Sequence, residues 1–454
     1  MNLLFISLGC DKNLVDSEHM MGDLVKAGYT ICDDEQIADV IVINSCCFIR
    51  DAMEESINTI IAMGEYKKSG NLKALIVTGC LAQRFSDEIL EQLPEVDAIV
   101  GTNSFDEIMK AIDEAIKRNE NGASEQNGDV VVIKKDLKGI PKSEKRILST
   151  GGHSAHLKIA EGCDKRCTYC IIPYIRGSFR SVPMEDIIAE AKELVAGGVK
   201  ELNLVAQEIT VYGIDLYGEK SLVKLLKELA AIDGLEWIRL LYAYPEELTD
   251  ELISYMASEP KICHYIDIPI QHCADPILKK MGRRTSKADL VEVVGKLRAA
   301  MPDICLRTTL IAGFPGETKY EHAEMLEFVR RMKFDHLGCF AYSKEEGTPA
   351  ANFDGQVPER TKNKWVKEIM LLQQEISSSI NESLVGRELM CFVEGKLPEE
   401  GVFVGRTYRD APNVDGFIFF SSPYELTSGQ MVKVKVTGSD NYDLLGEVID
   451  ESAE

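Results

Sequence analysis

The central part of the chain alternates between short apolar runs and longer amphipathic stretches, a pattern that few folds accommodate. The apolar runs lie at residues 156–160, 200–206, 235–242, 263–270, 304–312 and 335–341. Apolar residues recur at helical spacing between them, at residues 183–197, 221–232, 249–258, 286–300 and 319–333. This alternation predicts a parallel sheet covered by helices. We therefore expect a partial (β/α)6 barrel, closed by a long helix at residues 358–384, with its chemistry at the carboxyl ends of the strands.

The first hundred residues predict a second parallel sheet. The apolar runs that indicate buried strands lie at residues 2–8, 38–44, 73–78 and 96–100. Helical patterns at residues 14–27 and 51–68 separate the first three runs, which indicates a doubly wound α/β unit. The turn after the first run lacks the GxGxxG pattern that cradles a pyrophosphate, so nucleotide binding is not expected there.

The last part of the chain predicts a small barrel. Five short strand patterns lie at residues 388–394, 402–408, 415–420, 431–437 and 444–449. Their spacing is typical of a five-stranded antiparallel barrel of the oligonucleotide-binding type. The chain as a whole is thus of the α/β class, with an N-terminal domain at 1–117, a linker at 118–148, a central domain at 149–381 and the terminal barrel at 382–450. The polar linker is expected to hold one strand or hairpin.

Three cysteines follow the first strand of the central domain with the spacing CxxxCxxC, at Cys163, Cys167 and Cys170. Three thiolates on one loop can hold three corners of a cubane iron–sulfur cluster and leave the fourth iron open. An open iron can chelate a small molecule, and this spacing is the one that binds S-adenosylmethionine (SAM) for radical chemistry. Structural zinc requires four ligands, and no fourth cysteine or histidine lies nearby. A disulfide cannot pair three cysteines.

Three more cysteines stand directly after the first three N-terminal strands, at Cys10, Cys46 and Cys80. Loops at the carboxyl ends of parallel strands gather in one crevice, so these residues are expected to meet. They predict a second cluster with three protein ligands and one open iron. Independent buried cysteines are the alternative, although such residues would fall within strands rather than after them. Cys47 is ambiguous, because only one of the two adjacent thiols can occupy the same corner.

Further candidate residues lie near the strand ends of the central domain, where a SAM molecule would bind. The candidates for contacting SAM are Tyr169, Gln207, Glu208, Arg307, Gly313 and Gly316. Glycines allow a ligand to approach the backbone closely, and Arg307 could pair with the SAM carboxylate through two hydrogen bonds. For each polar residue, a structural ion pair or hydrogen bond is an equal alternative.

The charge balance favours a basic partner. The chain carries 51 basic and 74 acidic residues, a net charge of −23. From residue 382 onward there are six basic and 14 acidic residues, a net of −8. A phosphate backbone would be repelled by such a surface, so nucleic acid is not expected as a substrate. A basic ribosomal protein fits this charge, while simple solubility is the alternative explanation.

The composition predicts a cytoplasmic protein. No apolar run approaches the length of a membrane helix, and the apolar opening lacks a basic segment before it. Thirteen cysteines in a chain without an export signal indicate thiols kept reduced and partly used for metal.

Four motifs together resemble the methylthiotransferases over the whole chain. They are Ser7-Leu-Gly-Cys-Asp-Lys-Asn-Leu-Val-Asp-Ser-Glu18, Ile43-Asn-Ser-Cys46, Val77-Thr-Gly-Cys-Leu-Ala-Gln-Arg84 and Ile159-Ala-Glu-Gly-Cys-Asp-Lys-Arg-Cys-Thr-Tyr-Cys170. The first string resembles the RimO family, which modifies the twelfth protein of the small ribosomal subunit. The tRNA-modifying sister family tends to open with Thr-Phe/Tyr-Gly-Cys-Gln-Met-Asn instead. Two departures are Asp11, where the family usually has proline, and Cys47, where it usually has glycine.

The resemblance implies two [4Fe-4S] clusters, one on each cysteine trio, and a terminal barrel of the TRAM type. It implies that reductive cleavage of SAM yields a radical that removes a hydrogen from the β-carbon of an aspartate. A methylthio group from the second cluster, methylated by another SAM, then gives 3-methylthioaspartate. An electron donor of flavodoxin or ferredoxin type and a sulfur source are implied as further partners.

Two alternatives stay open at this point. The first is methylthiolation of adenosine in tRNA by the same chemistry. The second is a non-catalytic iron–sulfur carrier, which would hold clusters without cleaving SAM.

Overall fold

The structure, a computed structural model, describes residues 1–121, 130–143, 145–398 and 401–449. Parts of the predicted linker, at 122–129 and 144, and the predicted end of the barrel, at 450, lie outside the described residues. Within the described ranges, no helix is long and apolar enough to cross a bilayer. The predicted fold class is confirmed: two parallel sheets with helices precede a small closed barrel.

The N-terminal sheet is wholly parallel, with strand order β2-β1-β3-β4-β5-β6. Its strands are β1 Asn2–Ser7, β2 Thr30–Ile31, β3 Val40–Ser45, β4 Ala74–Thr78, β5 Ala98–Val100 and β6 Val131–Ile133. Four strands match the predicted runs, whereas β2 is too short to give a pattern. The strand expected in the linker is β6, which pairs with β5 and so extends the sheet.

Helices cover both faces of this sheet. They are α1 Asp11–Lys26, α2 Arg50–Gly64, α3 Tyr66–Ser69, α4 Gly79–Arg84, α5 Ser86–Gln92 and α6 Ile108–Glu120. Two separate apolar clusters pack against the two faces, as a doubly wound sheet requires. The central strands are buried on both sides, which explains why their sequences are almost continuously apolar.

The central domain contains a second parallel sheet, in the order β14-β13-β12-β11-β10-β7. Its strands are β7 Ser154–Lys158, β10 Glu201–Val205, β11 Trp237–Leu240, β12 Ile262–Asp267, β13 Cys305–Ala312 and β14 His336–Ala341. A two-stranded ribbon, β8 Ala160–Glu161 and β9 Arg180–Ser181, brackets the CxxxCxxC loop. All six predicted strands are present, and they follow one another across the sheet as expected for an open barrel.

Helices surround this sheet on its outer face, and one long helix closes it. They are α7 Ile172–Arg176, α8 Met184–Ala196, α9 Ile214–Tyr217, α10 Leu222–Ala230, α11 Asp250–Ser258, α12 Asp275–Lys280, α13 Lys287–Ala300, α14 Lys319–Met332 and α15 Glu359–Glu382. The helix α15 packs against β14, the last strand of the sheet. A large apolar cluster between the strands and these helices forms the core.

The terminal barrel is closed, in the order β15-β16-β17-β19-β18. Its strands are β15 Glu388–Lys396, β16 Phe403–Thr407, β17 Ile418–Ser421, β18 Met431–Ser439 and β19 Leu444–Val448. The prediction of antiparallel pairing throughout is wrong at one place, because β17 and β19 run parallel. Five strands in a closed ring cannot all alternate in direction, so one parallel pair is required.

The terminal barrel seals the amino end of the central sheet. Glu201, the first residue of β10, is fully buried and accepts hydrogen bonds from Arg406 of the barrel at 2.6 Å and from Arg239 of the sheet at 3.0 Å. Phe392 of the barrel packs edge-on against Trp237, the first residue of β11, with ring centroids 4.5 Å apart. The carboxyl ends of the central strands are thus left for the cysteine loops.

Candidate active site

The N-terminal cysteines come together at one edge of the first sheet. Cys10 lies between β1 and α1, Cys46 directly follows β3, and Cys80 lies in the first turn of α4, after β4. A Cβ atom on Gly9 would lie 2.7 Å from Cβ and 2.8 Å from Sγ of Cys46. Gly9 also has a φ angle of +91°, which other residues adopt only with strain. Glycine is therefore required for these two loops to meet.

Asn13 joins all three loops through its side-chain amide. Its Nδ2 donates to the carbonyl of Leu8 at 3.0 Å and to that of Ser45 at 3.2 Å. Its Oδ1 accepts from the thiol of Cys80 at 3.9 Å. One buried amide thus sets the spacing of loops that follow β1, β3 and β4. The sequence analysis missed this residue, since nothing but its place in the first motif distinguishes it.

Of the N-terminal cysteines, Cys46 and Cys80 are buried and Cys10 is partly exposed. Burial raises the pKa of Cys46, and it raises the pKa of Cys80 to about 12. Cys10 raises both values further, which shows that the three sulfurs lie within electrostatic reach of one another. Without a metal the thiols of Cys46 and Cys80 stay protonated. Soft metal clusters bind thiolates and displace those protons, so this donor set suits iron and sulfide.

The adjacent Cys47 occupies a different environment from Cys46. Its side chain is buried in an apolar cluster that includes Leu81 and Ile175. Its carbonyl accepts a hydrogen bond from Arg84 at 3.4 Å. Because Cys46 packs on Gly9, beside Cys10, this geometry favours Cys46 over Cys47 as the third member of the trio.

The second cysteine trio lies on the loop between β8 and α7. Gly162 has a φ angle of +79°, and a Cβ atom there would clash with the carbonyl of Ser178. Burial raises the pKa of Cys163 to about 11 and that of Cys170 to about 12, and Cys167 raises both. The backbone N–H of Cys170 donates to the carbonyl of Cys167 at 3.0 Å. The three cysteines therefore form a second donor set, with Cys163 and Cys167 buried and Cys170 partly exposed.

Neither trio is shaped to hold a single ion. In the ranges that the structure describes, no three His, Cys, Asp or Glu side chains converge on one metal position. A cubane cluster binds each cysteine through a different iron, so its ligands need not converge.

Arg176 connects the two trios. It ends α7, six residues beyond Cys170, and its side chain is only 2 % exposed. Its Nη2 donates to the Sγ atom of Cys80 at 3.7 Å. Its Nη1 donates to Asp16 of α1 and to Glu161 beside the CxxxCxxC loop, at 3.0 Å each. The N-terminal domain is thus held against the central domain at α7, the helix that follows the CxxxCxxC loop.

Two more buried groups complete this ion-pair network. Lys158, at the end of β7, pairs with Asp16 and with Glu161, at 3.0 Å from the latter. Gln207 donates from Nε2 to the other oxygen of Glu161 at 2.9 Å. Two cations and two carboxylates balance in charge, which a buried network requires. The predicted SAM contact Gln207 therefore lies at the domain junction, where it is bonded to Glu161, the last residue of β8 before the CxxxCxxC loop.

The other predicted SAM contacts lie around the same loop. Glu208 is buried and pairs with Lys165 at 3.3 Å, and burial raises its pKa to about 7. The ring of Tyr169 packs edge-on against Phe314, with centroids 6.5 Å apart. Gly313 and Gly316 flank that phenylalanine in the turn after β13, with φ angles of +78° and +86°. These four residues therefore remain predicted SAM contacts.

Arg307 lies near the amino end of β13, as the third residue of that strand. It pairs with Asp267 of β12 and with Asp415 of the terminal barrel, each at 3.2 Å. Its guanidinium is thus already matched by two carboxylates. A role in SAM binding would require it to leave one of them.

Arg283 is a stronger candidate that the sequence analysis missed. It is 7 % exposed and lies over the ring of Tyr244, with 4.4 Å from its Cζ to the ring centroid. Its Nη2 donates to the carbonyl of Pro269 at 3.0 Å, while its buried Nε and Nη1 have no hydrogen-bond partner. The hydroxyl of Tyr244 lies 4.0 Å from Sγ of Cys167. An unpaired guanidinium thus sits beside the loop.

Three family models match the chain in succession. Residues 2–101 match Uncharacterized protein family UPF0004, residues 157–329 match the Radical SAM superfamily, and residues 385–449 match the TRAM domain. The two cysteine trios fall within the first and second matches, respectively.

Curated relatives match from end to end. Ribosomal protein uS12 methylthiotransferase RimO of Lachnoclostridium phytofermentans is 56 % identical over 447 residues, covering 98 % of this chain and 99 % of that protein. The protein of the same name from Acetivibrio thermocellus is 51 % identical over 451 residues, covering 99 % and 98 %. That from Geobacter sulfurreducens is 48 % identical over 445 residues, covering 98 % of each chain.

Solved structures share the fold at low identity. The radical S-adenosylmethionine methyltransferase TsrM from Kitasatospora setae, with cobalamin and a [4Fe-4S] cluster bound, superposes with a TM-score of 0.55 at 13 % identity, covering 77 % of this chain and 73 % of that one. The cobalamin-dependent S-adenosylmethionine radical enzyme OxsB gives a TM-score of 0.51 at 14 % identity, covering 82 % and 56 %.

Proposed function

The chain belongs to the RimO family of ribosomal protein uS12 methylthiotransferases, and on that premise we propose that it modifies the same basic ribosomal protein. The reaction is transfer of a methylthio group to the β-carbon of an aspartate, giving 3-methylthioaspartate. The observation that carries this proposal is the contact of Cys80, in the first trio, with Arg176, which ends the helix that follows the second trio.

A radical SAM enzyme of this family uses a [4Fe-4S] cluster and SAM. Cys163, Cys167 and Cys170 are the residues that would hold this cluster. Cys10, Cys46 and Cys80 would hold a second one. When bound, the clusters supply the electron that cleaves SAM and the sulfur that is transferred, so the enzyme needs an electron donor of flavodoxin or ferredoxin type and a sulfur source.

The chain's own residues keep the site dry and hold it together. Ile171 and Ile175, on and beside α7, pack in one apolar cluster with Cys80 and Leu81 between the trios. A carbon radical reacts unselectively with nearby groups. The site therefore has to exclude water and hold the reacting carbon at a fixed distance from the sulfur donor.

For SAM itself, Arg283 is the residue we assign to the carboxylate. Its Nε and Nη1 groups have no partner among the described residues, so either can donate a charged hydrogen bond to a carboxylate. Burying a cation without a partner is costly, and an anionic ligand removes that cost. The pairs that Arg307 makes with Asp267 and Asp415 leave it less suited to this role than the sequence suggested.

The acidic character of the chain supports a protein substrate. The net charge of −23 attracts a basic ribosomal protein and repels tRNA at long range. The terminal barrel, whose fold often binds nucleic acid, carries a net charge of −8 from residue 382 onward.

The test is a substrate comparison under anaerobic conditions. Reconstituted enzyme is given SAM, a reductant, sulfide and either the purified ribosomal protein or tRNA, and the products are identified by mass spectrometry. We expect a methylthio group on one aspartate of the protein. Modification of tRNA alone would overturn the proposal, and clusters without 5′-deoxyadenosine would favour an iron–sulfur carrier. Cys163→Ala should abolish 5′-deoxyadenosine formation, whereas Cys80→Ala should mainly block sulfur insertion.

A further inference from the structure

Among the residues that the structure describes, two buried cations form no ion pair with a carboxylate. Eight lysines and arginines of the described residues are buried, and six of them pair with a carboxylate. Those six are Lys158, Arg176, Arg239, Lys362, Arg406 and Arg409. The two others are Arg283, assigned above to SAM, and Lys12. Because a buried charge without an ion pair is unfavourable, each of the two is a candidate to bind an anionic group.

Lys12 lies at the junction of the two domains. It stands two residues after Cys10 in the first turn of α1, and its side chain is 6 % exposed. Its Nζ atom lies 3.2 Å from the centroid of the Tyr242 ring, which belongs to the loop after β11. The lysine thus reaches from the N-terminal cysteines to the carboxyl end of the central sheet.

The carboxylates close to Lys12 are used by other groups. Asp11 accepts from the hydroxyl of Tyr242 at 3.4 Å and lies 3.5 Å from His156. Asp267 accepts from the backbone N–H of Tyr242 at 3.2 Å and pairs with Arg307. In the described part of the chain neither forms an ion pair with Lys12. The ring of Tyr242 covers the ammonium on one side without neutralising its charge.

We propose that Lys12 binds the carboxylate of the target aspartate. This inference rests on the proposed function, in which the β-carbon of that aspartate must come close to the N-terminal cysteines. The carboxylate is bonded directly to this carbon, so an ammonium two residues from Cys10 fixes the reacting carbon beside the sulfur donor. Adenosine offers no carboxylate for this ammonium to bind. Lys12 therefore also selects the substrate class.

The carboxylate could come from two sources, the aspartate or SAM, and one variant distinguishes them. Lys12→Met keeps the shape of the side chain and removes its charge. We expect its affinity for the ribosomal protein to fall about 10- to 100-fold, as for other charged hydrogen bonds, with unchanged affinity for SAM. Lys110→Met removes one charge from an exposed position on α6 and is the matched control, with both affinities unchanged.

A substrate variant makes the test specific. The ribosomal protein with asparagine in place of its target aspartate should bind the native enzyme more weakly than the unaltered protein. Lys12→Met should bind both forms equally, because the charge that tells them apart is gone. Binding is measured by calorimetry on the reconstituted enzyme without reductant, so the readout does not depend on turnover.

Stability separates a binding role from a structural one. If Lys12 serves substrate binding, replacing an unpaired buried charge with an apolar side chain should leave the thermal midpoint unchanged or raise it. A lower midpoint would point to a structural role and count against the inference.

The outcomes also separate this inference from the function on which it rests. If the native enzyme does not bind or modify the ribosomal protein, the proposed function fails. If it does both, but Lys12→Met still prefers aspartate over asparagine, only the inference fails. Lost affinity for SAM would assign the lysine to the other carboxylate and equally overturn it.

Discussion

Replacing Arg176 with methionine tests how the two domains are held together. The guanidinium is 2 % exposed and bonds to Asp16 and Glu161 at 3.0 Å each. Without it, Lys158 alone faces two buried carboxylates, which leaves one uncompensated negative charge. Removing one partner of a buried ion pair costs about 3–5 kcal/mol. We take the lower limit, about 3 kcal/mol, because Lys158 remains, and this corresponds to roughly a 150-fold change in an opening equilibrium.

Amide hydrogen exchange measures this loss of stability at individual helices. In the Arg176→Met variant, amides of α1 and α7 should exchange roughly 100-fold faster, because both helices depend on the same contact. Amides of the terminal barrel should not change, since it lies at the opposite end of the central sheet. Arg50→Met is the matched control: this arginine is 77 % exposed, and its ion pair in the described part of the chain is with Glu54 of its own helix.

A double variant tests the charge argument itself. Arg176→Met combined with Asp16→Asn restores neutrality, so exchange in α1 should slow again relative to the single variant. Unchanged exchange in the single variant, or faster exchange in the double one, would refute the reasoning that charge balance holds this junction.

Three further predictions concern other parts of the molecule. Burial alone would raise the pKa of Glu201, but Arg406 and Arg239 lower it to about 2. The ionised Glu201 therefore stabilises the fold above pH 4.5, its unfolded pKa, and this stabilisation is lost as the pH falls toward 2. The terminal barrel should then undock in that range, seen as a change in tryptophan fluorescence, whereas Glu201→Gln should remove this acid transition. Gly9→Ala should displace Cys46 and reduce the bound iron by about half. The control Gly28→Ala should retain its iron, because Gly28 also has a positive φ but no atom lies within 4 Å of the added Cβ. Arg283→Gln should weaken SAM binding about tenfold or more in equilibrium dialysis, without altering the iron content.

Much of the fold follows from local pattern. Buried parallel strands such as β3 and β4 are continuous apolar runs bounded by polar turns, so their positions could be predicted within two residues. The meeting of the loops that carry Cys10, Cys46 and Cys80 could be predicted, because a parallel sheet brings the carboxyl ends of its strands to one edge. The motif spacing of Cys163, Cys167 and Cys170 is also local.

The contacts between domains could not be read in this way. Arg176 and Lys12 look like ordinary helical cations in the sequence, and they are buried because the N-terminal domain docks on the central domain, through α1 on β7 and α4 on α7. Arg307 seemed suited to SAM because its partner Asp415 lies more than 100 residues away, in another domain. Such charge pairing depends on tertiary placement, which residue type and spacing do not encode.

Iron analysis tests most directly the claim that two trios of cysteines each hold a cluster. Anaerobically reconstituted protein should contain about eight irons per chain, as two cubanes of four. The variant with Cys10, Cys46 and Cys80 all changed to alanine should contain about four and should still cleave SAM. About four irons in the native protein, with no loss in the variant, would contradict a second cluster and the sulfur transfer that depends on it.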